Sequence, residues 1–296
     1  MEKISYFVSQ LLGNLRFPRS RSCPNCGSSS SRLLARKFVV SELRLCSNCG
    51  ISFRWPTDSI DTSAVIYQDC YAQSGLTTDL PGPAQLEELK KSLFKKSEKN
   101  FTSYIAFLQR FYGDQLRCKR VLDYGANWGY FLYQLEAAGV GVAYGYEVST
   151  PRRRFGENEL GVSYLNKLSE TIEYFDVVLT THVIEHVPVP SRMLQDIYNA
   201  LTKGGLLVLE CPNGSLCASA TPRWNSQWGR IHPYYISDSY LVKALKELGF
   251  MGVVVDKAEL HSISSLSLEE IMSEINVLPC SRSPVSSTLV ALAIKK

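Results

Sequence analysis

The sequence predicts an α/β protein whose main part is a parallel sheet covered by helices on both faces. Three observations support this prediction. From residue 119 onward, short β-branched or aromatic runs alternate with helical segments, a pattern typical of parallel sheets buried on both faces. Two CxxC pairs near the amino terminus indicate a small additional module. The composition, 45% apolar and 20% charged over 296 residues, is that of a globular protein with a substantial core.

Residues 1–20 carry apolar side chains at near-helical spacing. The polar residues Ser9, Gln10 and Asn14 interrupt the apolar run, and no small-residue cleavage site follows it, which argues against a signal peptide. We expect a helix or tail here. A helix packed on the body of the protein is the first interpretation, and peripheral contact with a membrane surface or disorder are the alternatives.

Residues 21–56 contain the motifs "CPNC" and "CSNC", which place Cys23 with Cys26 and Cys46 with Cys49. A glycine follows each pair and suits the tight turn that such a knuckle needs. Four thiolates complete a tetrahedral shell that fits structural Zn²⁺. We therefore predict a zinc ribbon, with redox dithiols or unrelated cysteines as the alternatives. A module this small has too little core to fold without its metal.

The cysteine content also bears on the compartment. The chain has nine cysteines, an odd number, and shows no secretory signal. Paired thiols in such a chain indicate a reducing environment and a metal, not a disulfide framework. The prediction is a cytoplasmic protein.

Residues 57–118 are predicted to form a helical cap or linker. After the breaker "LPGP", apolar residues return at helix spacing through "AQLEELKKSLFKKSEKNFTSYIAFLQRFY". Lysines stand between them from Lys90 to Lys99. We expect this lysine run to form a solvated face, with a phosphate-binding patch as the alternative.

The stretch "VLDYGANWGYFL" joins a predicted strand to a predicted helix through Asp123, Gly125 and Gly129. A dinucleotide loop requires GxGxxG, but one glycine is missing and the bulky Trp128 stands where a small residue is needed. A triphosphate loop requires GK[ST] after its glycines, which the chain does not supply here. The remaining pattern is DxGxxxG. The next strand ends at Glu147, where a carboxylate can accept both ribose hydroxyls.

These motifs, followed in order by "FDVVLTTHVIEHV" and "ALTKGGLLVLECPN", resemble the class I S-adenosylmethionine-dependent methyltransferases over residues 119 to about 260. With the amino-terminal cysteine module, the chain is similar to the zinc-ribbon-bearing methyltransferases that modify sugars, polysaccharides and natural products. The resemblance implies a Rossmann-like, seven-stranded sheet over residues 119–296 and S-adenosylmethionine as cofactor.

The resemblance also implies a set of residues around the cofactor. Those matched to the family pattern are Tyr71, Asp123, Gly125, Ala126, Gly129, Glu147, Asn166 or Leu168, Thr181 and His182. The loop residues are expected at the methionine moiety and Glu147 at the ribose. Asn166 or Leu168 is expected beside the adenine, and Tyr71 near the methyl group.

Methyl transfer is an in-line displacement that aligns the acceptor, excludes water and often removes a proton. The candidate bases at carboxyl ends of strands are Glu185, His186 and His232. Glu185 and His186 belong to "HVIEHV", so an architectural or cofactor-side role is the alternative. His232 lies in the insertion "TPRWNSQWGRIHPYYIS", whose Trp and Arg residues suit stacking and anion contacts. Its alternative is a histidine that only bonds the backbone.

The leading functional hypothesis is a methyltransferase for a small molecule or glycan, including an anionic acceptor such as a nucleotide-linked sugar. An RNA methyltransferase is the alternative, supported by "PRRRF" at 151–155, although those arginines are expected on a solvated face. The net charge of +4 is too small to indicate a nucleic-acid partner by itself. A non-enzymatic scaffold is a third option, which the intact loop and Glu147 argue against.

Overall fold

The computed structural model describes residues 21–37, 40–58, 79–215, 228–229, 231–256 and 287–296. The predictions for residues 1–20 and for Tyr71 fall outside the described residues, as does most of the tryptophan-rich insertion. In chain order the strands are β1 (Ser31–Lys37), β2 (Ser41–Cys46), β3 (Ser52–Trp55), β4 (Arg120–Tyr124), β5 (Val142–Tyr146), β6 (Phe175–Thr181), β7 (Leu201–Pro212), β8 (Tyr234–Tyr235), β9 (Phe250–Asp256) and β10 (Thr288–Lys295). The helices are α1 (Pro83–Lys91), α2 (Thr102–Tyr112), α3 (Tyr130–Ala137), α4 (Thr150–Phe155), α5 (Pro190–Ala200) and α6 (Asp238–Leu248).

The main sheet has the strand order β5-β4-β6-β7-β10-β9. Strands β5, β4, β6 and β7 run parallel, and β10 is antiparallel to both of its neighbours. The order reverses at β4, and open α/β sheets bind ligands at the carboxyl ends of strands beside such a switch point. The predicted α/β, Rossmann-like fold is thereby confirmed, with a mixed sheet.

The predicted seventh strand is reduced to a single bridge within the described residues. Gly145 in β5 pairs in parallel with Tyr164. Two hydrogen bonds make this pairing, from the Gly145 N–H to the Ser163 carbonyl at 2.9 Å and from the Leu165 N–H to the Gly145 carbonyl at 2.8 Å. The edge next to β5 is therefore closed by one residue instead of a full strand.

Two apolar cores lie on opposite faces of the main sheet. Neighbouring residues in β4 alternate between them, since Val121 packs with the helices α2 and α3 and Leu122 packs with α5 and α6. Both residues are fully buried. This alternation is what a sheet covered by helices on both faces requires, as the sequence predicts.

The long helical pattern of residues 84–112 forms two helices, α1 and α2, instead of one. The break occurs where Leu93 and Phe94 adopt positive φ angles of 48° and 62°. This turn places the Phe94 ring in the core, 5.7 Å from the Trp128 ring. Burial of Phe94 thus overrides the local helix pattern. Lysines Lys91, Lys95 and Lys96 are exposed as expected.

The cysteine module is a second, antiparallel sheet with the order β1-β2-β3-β8. Its last strand, β8, comes from the region after the main sheet strand β7, with Phe53 opposite Tyr234. Ile51 and Phe53 are fully buried and share one apolar core with α5 and α6. The module therefore lies on the α5–α6 side of the main sheet.

Candidate functional site

The loop after β4 approaches the neighbouring backbone closely at Gly125. Its N–H and that of Ala126 both donate to the Tyr146 carbonyl, at 2.7 and 3.1 Å. Gly125 has a φ of +87°, and a Cβ added there would lie 2.3 Å from a methyl group of Val183. Both the backbone conformation and the available space therefore require glycine at this position.

The carboxylate of Glu147 ties this loop to the loop after β5. One oxygen accepts the Asn127 N–H at 2.9 Å and the other accepts the Ser149 N–H at 2.8 Å. Desolvation raises the pKa of Glu147, although these backbone hydrogen bonds oppose the shift. Each carboxylate oxygen keeps acceptor capacity for a further hydrogen bond, which is the property expected of a ribose-binding residue.

Asp123 lies just below this loop and is almost fully buried. Burial, with a smaller contribution from Glu147, raises the pKa of Asp123 to about 8. The side chain is therefore protonated at neutral pH and stands close to a second carboxyl group. Asp123 does not line the cavity, so it lies behind the surface of the site.

The remaining loop residues have packing roles. Gly129 has a φ of +83°, and a Cβ there would lie 2.5 Å from Val162 and 2.8 Å from the Tyr164 hydroxyl. Ala126 and Trp128 are buried in the core on the α2–α3 side. Ala126 and Gly129 were matched to the methionine moiety by resemblance, but in the structure their neighbours are core residues. The bulky Trp128 fills the core beneath the loop.

A cavity of about 600 Å³ opens at the carboxyl ends of β4, β5 and β6. Five residues singled out from the sequence line it together: Gly125, Glu147, Thr181, His182 and His186. The switch point of the sheet thus brings residues more than fifty positions apart to one surface.

Two cavity residues hold unusual backbone conformations. Asn127 and His182 have φ angles of 52° and 53°, in the left-handed region that non-glycine residues rarely adopt. Such conformations persist where surrounding contacts enforce them and are concentrated at functional sites. The Asn127 N–H is fixed by Glu147, and the His182 N–H donates to the Glu210 carbonyl at 2.8 Å.

The two residues matched to the adenine contact do not line this cavity. Leu168 is buried in the core on the α5–α6 side. Asn166 is exposed and accepts a hydrogen bond from Arg153 at 2.9 Å. Their proximity to a bound adenine stays a prediction.

Sequence reasoning missed several cavity residues. Among them are Asn127, Tyr146, Val148, Lys99 and Arg152. Arg152 was expected on a solvated face, which is wrong because it is buried against the cavity. Position in the sequence could have identified those that follow a strand, because the first residues after a parallel strand lie at the edge of the sheet where ligands bind.

The three candidate catalytic residues meet in space. The rings of His186 and His232 have centroids 4.6 Å apart, and the His186 Nδ1 lies 2.8 Å from the Ile231 carbonyl oxygen. The buried Glu185 carboxylate lies 3.8 Å from His186 Nε2 and 3.5 Å from His182 Nδ1. The "HVIEHV" segment and the distant His232 therefore form one cluster beside the cavity.

The charges in this cluster influence one another. Burial raises the pKa of Glu185, but the neighbouring His186 and His182 outweigh it and leave the pKa below its ordinary value. Burial lowers the pKa of His186, and the nearby Glu185 carboxylate opposes this shift. Desolvation lowers the pKa of His182, but Glu185 and Glu210 outweigh it and raise that pKa.

The four cysteines of the two knuckles also converge. Their sulfur atoms all lie within 4.8 Å of one another, with Cys23 and Cys49 at 3.7 Å and Cys26 and Cys46 at 3.6 Å. A zinc ion with Zn–S bonds of about 2.3 Å in a tetrahedron separates its sulfurs by about 3.8 Å. The arrangement is thus suited to hold a tetrahedral metal ion.

The first knuckle is bonded to the main domain through Asn25. Its side-chain oxygen accepts the Ser191 N–H at 2.7 Å, and its amide donates to the Cys49 sulfur at 3.6 Å. From the second knuckle, the Asn48 carbonyl accepts a hydrogen bond from Lys243 at 2.6 Å. Both knuckles therefore contact the helices α5 and α6.

The same module also contacts the segment that carries His232. The Arg54 N–H donates to the Pro233 carbonyl at 2.7 Å. The Lys37 ammonium lies 4.3 Å from the centre of the buried Trp228 ring and donates to the Trp228 carbonyl. The chain around His232 is thus held between the module and the main sheet.

In the described part of the chain, no helix combines the length and the apolar character needed to cross a membrane.

Two solved structures share the fold. Phosphoethanolamine N-methyltransferase 2 of Haemonchus contortus, with S-adenosyl-L-methionine, is 17% identical at a TM-score of 0.53, covering 82% of this chain and 61% of that one. Magnesium protoporphyrin IX methyltransferase of Synechocystis PCC 6803, with bound S-adenosylhomocysteine, is 12% identical at a TM-score of 0.52, covering 81% and 100%. At these identities the likeness shows the fold alone.

A curated relative and a family model extend the comparison to sequence. The ubiquinone biosynthesis O-methyltransferase of Parvibaculum lavamentivorans is 34% identical over 109 residues, which are 34% of this chain and 43% of the relative. The chain thus matches less than half of that relative's length. Residues 97–254 match the family model described as a methyltransferase domain. Because this match spans more than half of the chain, the protein belongs to the methyltransferase-domain family, and the predicted class of S-adenosylmethionine-dependent methyltransferase is confirmed.

Proposed function

We propose that the chain transfers a methyl group from S-adenosylmethionine to a small molecule or glycan by in-line displacement. The observation that carries the proposal is the cavity at the switch point, which is lined by the Gly125 turn and the Glu147 carboxylate and which meets the Glu185–His186–His232 cluster through His186. The Gly125 turn and Glu147 suit a nucleoside with a charged sulfur, and the cluster presents groups that can act on an acceptor.

The residues present fit the proposed cofactor. Glu147 sits at the end of β5 with lone pairs available for both ribose hydroxyls. The glycine turn at Gly125 leaves bare backbone beside the cavity. When bound, the cofactor supplies an electrophilic methyl carbon, and the chain orients it and excludes water.

The size of the cavity supports a small acceptor. About 600 Å³ lies within the roughly 300–1,000 Å³ of ordinary small-molecule sites. Lys99, Arg152 and Arg192 lie along the wall and suit an acceptor with negative charge, such as a nucleotide-linked sugar.

The alternative of an RNA acceptor has less support. Its best sequence evidence was the arginine run at 151–155. Arg152 is buried against the cavity and Arg153 is bonded to Asn166, so the run does not form one exposed basic patch. Salt-dependent binding of RNA by the full chain is the result that would favour this alternative.

We also propose that the cysteine module holds one structural Zn²⁺ through Cys23, Cys26, Cys46 and Cys49. The sulfur spacing and the amides that donate to Cys26 and Cys49 support a thiolate site. All cysteines in the described ranges are free thiols, which agrees with the reducing, cytoplasmic compartment that we propose.

Calorimetric titration with S-adenosylhomocysteine tests the cofactor. We expect one molecule to bind per chain. Glu147→Gln should weaken binding by about tenfold or more, because it loses charge-assisted hydrogen bonds to the ribose. Glu159→Gln, at an exposed glutamate, is the matched control and should bind as the unmodified chain does. Absence of binding in a folded, zinc-containing sample would overturn the proposal.

A screen with methyl-labelled cofactor then identifies the acceptor class. Candidate pools are nucleotide-linked sugars, phosphorylated glycans, phenolic small molecules and RNA. Label transfer to any of the first three supports the proposal, and transfer to RNA alone contradicts it.

A further inference from the structure

The cluster of Glu185, His186 and His232 has the composition of a metal site. One potential ligand atom from each residue lies within 4.8 Å of the other two. Two imidazoles and one carboxylate are a common protein ligand set for divalent transition metals. The three residues come from the end of β6 and from the segment just before β8, so the fold brings them together across almost fifty residues.

Glu185 supplies the first independent indication. Its side chain is only 2% exposed, and neither carboxylate oxygen has a hydrogen-bond partner within the described residues. The nearest basic atoms are imidazole nitrogens at 3.5 and 3.8 Å, beyond a good hydrogen bond. A buried carboxylate left in this state is costly unless a cation neutralises it.

His186 supplies the second indication. Its Nδ1 faces the Ile231 carbonyl at 2.8 Å, and a carbonyl can only accept, so Nδ1 carries the proton. The other ring nitrogen, Nε2, lies 3.8 Å from a Glu185 oxygen. A cation bound by both atoms would fit at this spacing. A backbone carbonyl that orients a histidine through its other nitrogen is the usual support of a metal ligand.

We propose that Glu185, His186 and His232 bind one divalent transition-metal ion, and that this ion holds the hydroxyl oxygen of the acceptor. This inference rests on the proposed methyltransferase function and narrows its acceptor to a hydroxyl compound. Bonds of about 2.1 Å would put neighbouring ligand atoms about 3.0 to 3.4 Å apart. The trio reaches that spacing by small side-chain movements.

Three protein ligands leave coordination positions for water or substrate. His186 is also a cavity residue, so those positions are reachable from the acceptor space. Coordination lowers the pKa of a hydroxyl group, whose proton passes to water. The oxygen then forms a bond to the methyl carbon as the carbon–sulfonium bond breaks, leaving the neutral thioether. An acceptor with a second oxygen next to the hydroxyl would bind as a chelate and be favoured.

Titration with Co²⁺ of protein that contains one zinc ion per chain, followed by visible absorption, tests the site. Co²⁺ bound to imidazole and carboxylate gives d–d bands without thiolate charge-transfer absorption, whereas Co²⁺ that displaces zinc from the cysteines shows that absorption. We expect one Co²⁺ per chain of the first kind. Glu185→Gln, His186→Ala and His232→Ala should each weaken its binding at least about tenfold, while the exposed-site control Glu159→Gln should not.

Binding of S-adenosylhomocysteine is measured on every sample and reports whether a variant is folded. The same measurement distinguishes failure of the metal-site proposal from failure of the methyltransferase proposal. Loss of Co²⁺ binding in the three variants with the nucleoside still bound supports the metal site. No Co²⁺ binding by the unmodified chain, or equal binding by the variants, overturns the metal site and leaves the methyltransferase proposal standing. Failure of the unmodified chain to bind the nucleoside overturns the proposed function, whatever Co²⁺ does.

Discussion

The proposed cofactor site and the segment around His232 are held by different kinds of contact. In the proposed cofactor site, Glu147 bonds Asn127 and Ser149, which lie 20 and 2 residues away in sequence. In the cysteine module, Asn25 bonds Ser191 across 166 residues, and Lys37 reaches Trp228, near His232, across 191. The proposed methyl-donor site is thus formed by two adjacent strand–loop units, whereas the segment that carries His232 contacts the cysteine module.

This difference assigns a role to the module. Its strand β3 pairs with β8, which begins two residues after His232, and Arg54 bonds the intervening Pro233. A two-residue strand has little stability of its own. We therefore infer that the module, with its proposed zinc bound, stabilises the segment around His232, and that damage to the module should spare the proposed cofactor site.

The largest effect is expected from Cys46→Ser. Removing one thiolate should abolish zinc binding and cost several kcal/mol, because the metal supplies most of the folding free energy of such a module. The thermal unfolding midpoint and the zinc content measured by mass spectrometry should both fall. Cys118→Ser, at an exposed free thiol, is the control. Equal zinc content and stability in the two variants would contradict the account.

Gly125→Ala, in the proposed cofactor site, is expected to weaken nucleoside binding without loss of zinc. The added Cβ would lie 2.3 Å from Val183 in a backbone of positive φ, at a cost of about 1–3 kcal/mol. Affinity for S-adenosylhomocysteine should fall at least about tenfold, with zinc content unchanged. Gly161→Ala also has positive φ but no atom within 4 Å of its Cβ, so it should leave the affinity unchanged. Similar affinities in the two variants would exclude close approach at Gly125.

A smaller difference in unfolding free energy is expected between substitutions in the two knuckles. Asn25 is buried and bonds Ser191, whereas the Asn48 side chain is exposed and bonds only a cysteine of the module. Asn25→Ala should lower the free energy of unfolding by about 1–3 kcal/mol, because it leaves buried donors without partners. Asn48→Ala should cost less than about 1 kcal/mol. Urea denaturation measures both, and equal costs would show that the Asn25 contact does not matter.

A separate prediction concerns Asp123 and pH. Its pKa is raised from 3.8 to about 8 in the folded chain, so the folded state binds the proton more tightly than the unfolded state. The stability this provides is complete below pH 3.8 and is lost as pH rises to about 8. The unfolding free energy of the cofactor-free protein should therefore fall over that range relative to Asp123→Asn. A constant difference between the two proteins would contradict the raised pKa.

The sequence predicted the parts of the site that depend on local chemistry. Each of three features can be recognised from a few neighbouring residues: the CxxC spacing, the turn at Gly125 and the acid Glu147. Glu185, His186 and His232 were each singled out as candidate bases because they follow strand ends, and the structure brings the three together.

Other features depend on contacts that no short stretch encodes. The break between α1 and α2 follows from burial of Phe94 against Trp128. The pairing of β3 with β8 joins segments about 180 residues apart through only two residues, too short a run for a strand pattern. Arg152 looked solvated because its neighbours in sequence are charged, but its helix turns it toward the cavity.

Hydrogen exchange of the zinc-loaded and zinc-stripped protein, read by mass spectrometry, tests the link between the module and the segment around His232 most directly. Peptides covering residues 228–236 should lose protection when zinc is removed, because β8 loses its partner strand. Peptides covering β4 and β5 should keep theirs, with S-adenosylhomocysteine still bound. Unchanged exchange at 228–236, or equal loss across β4 and β5, would contradict the account.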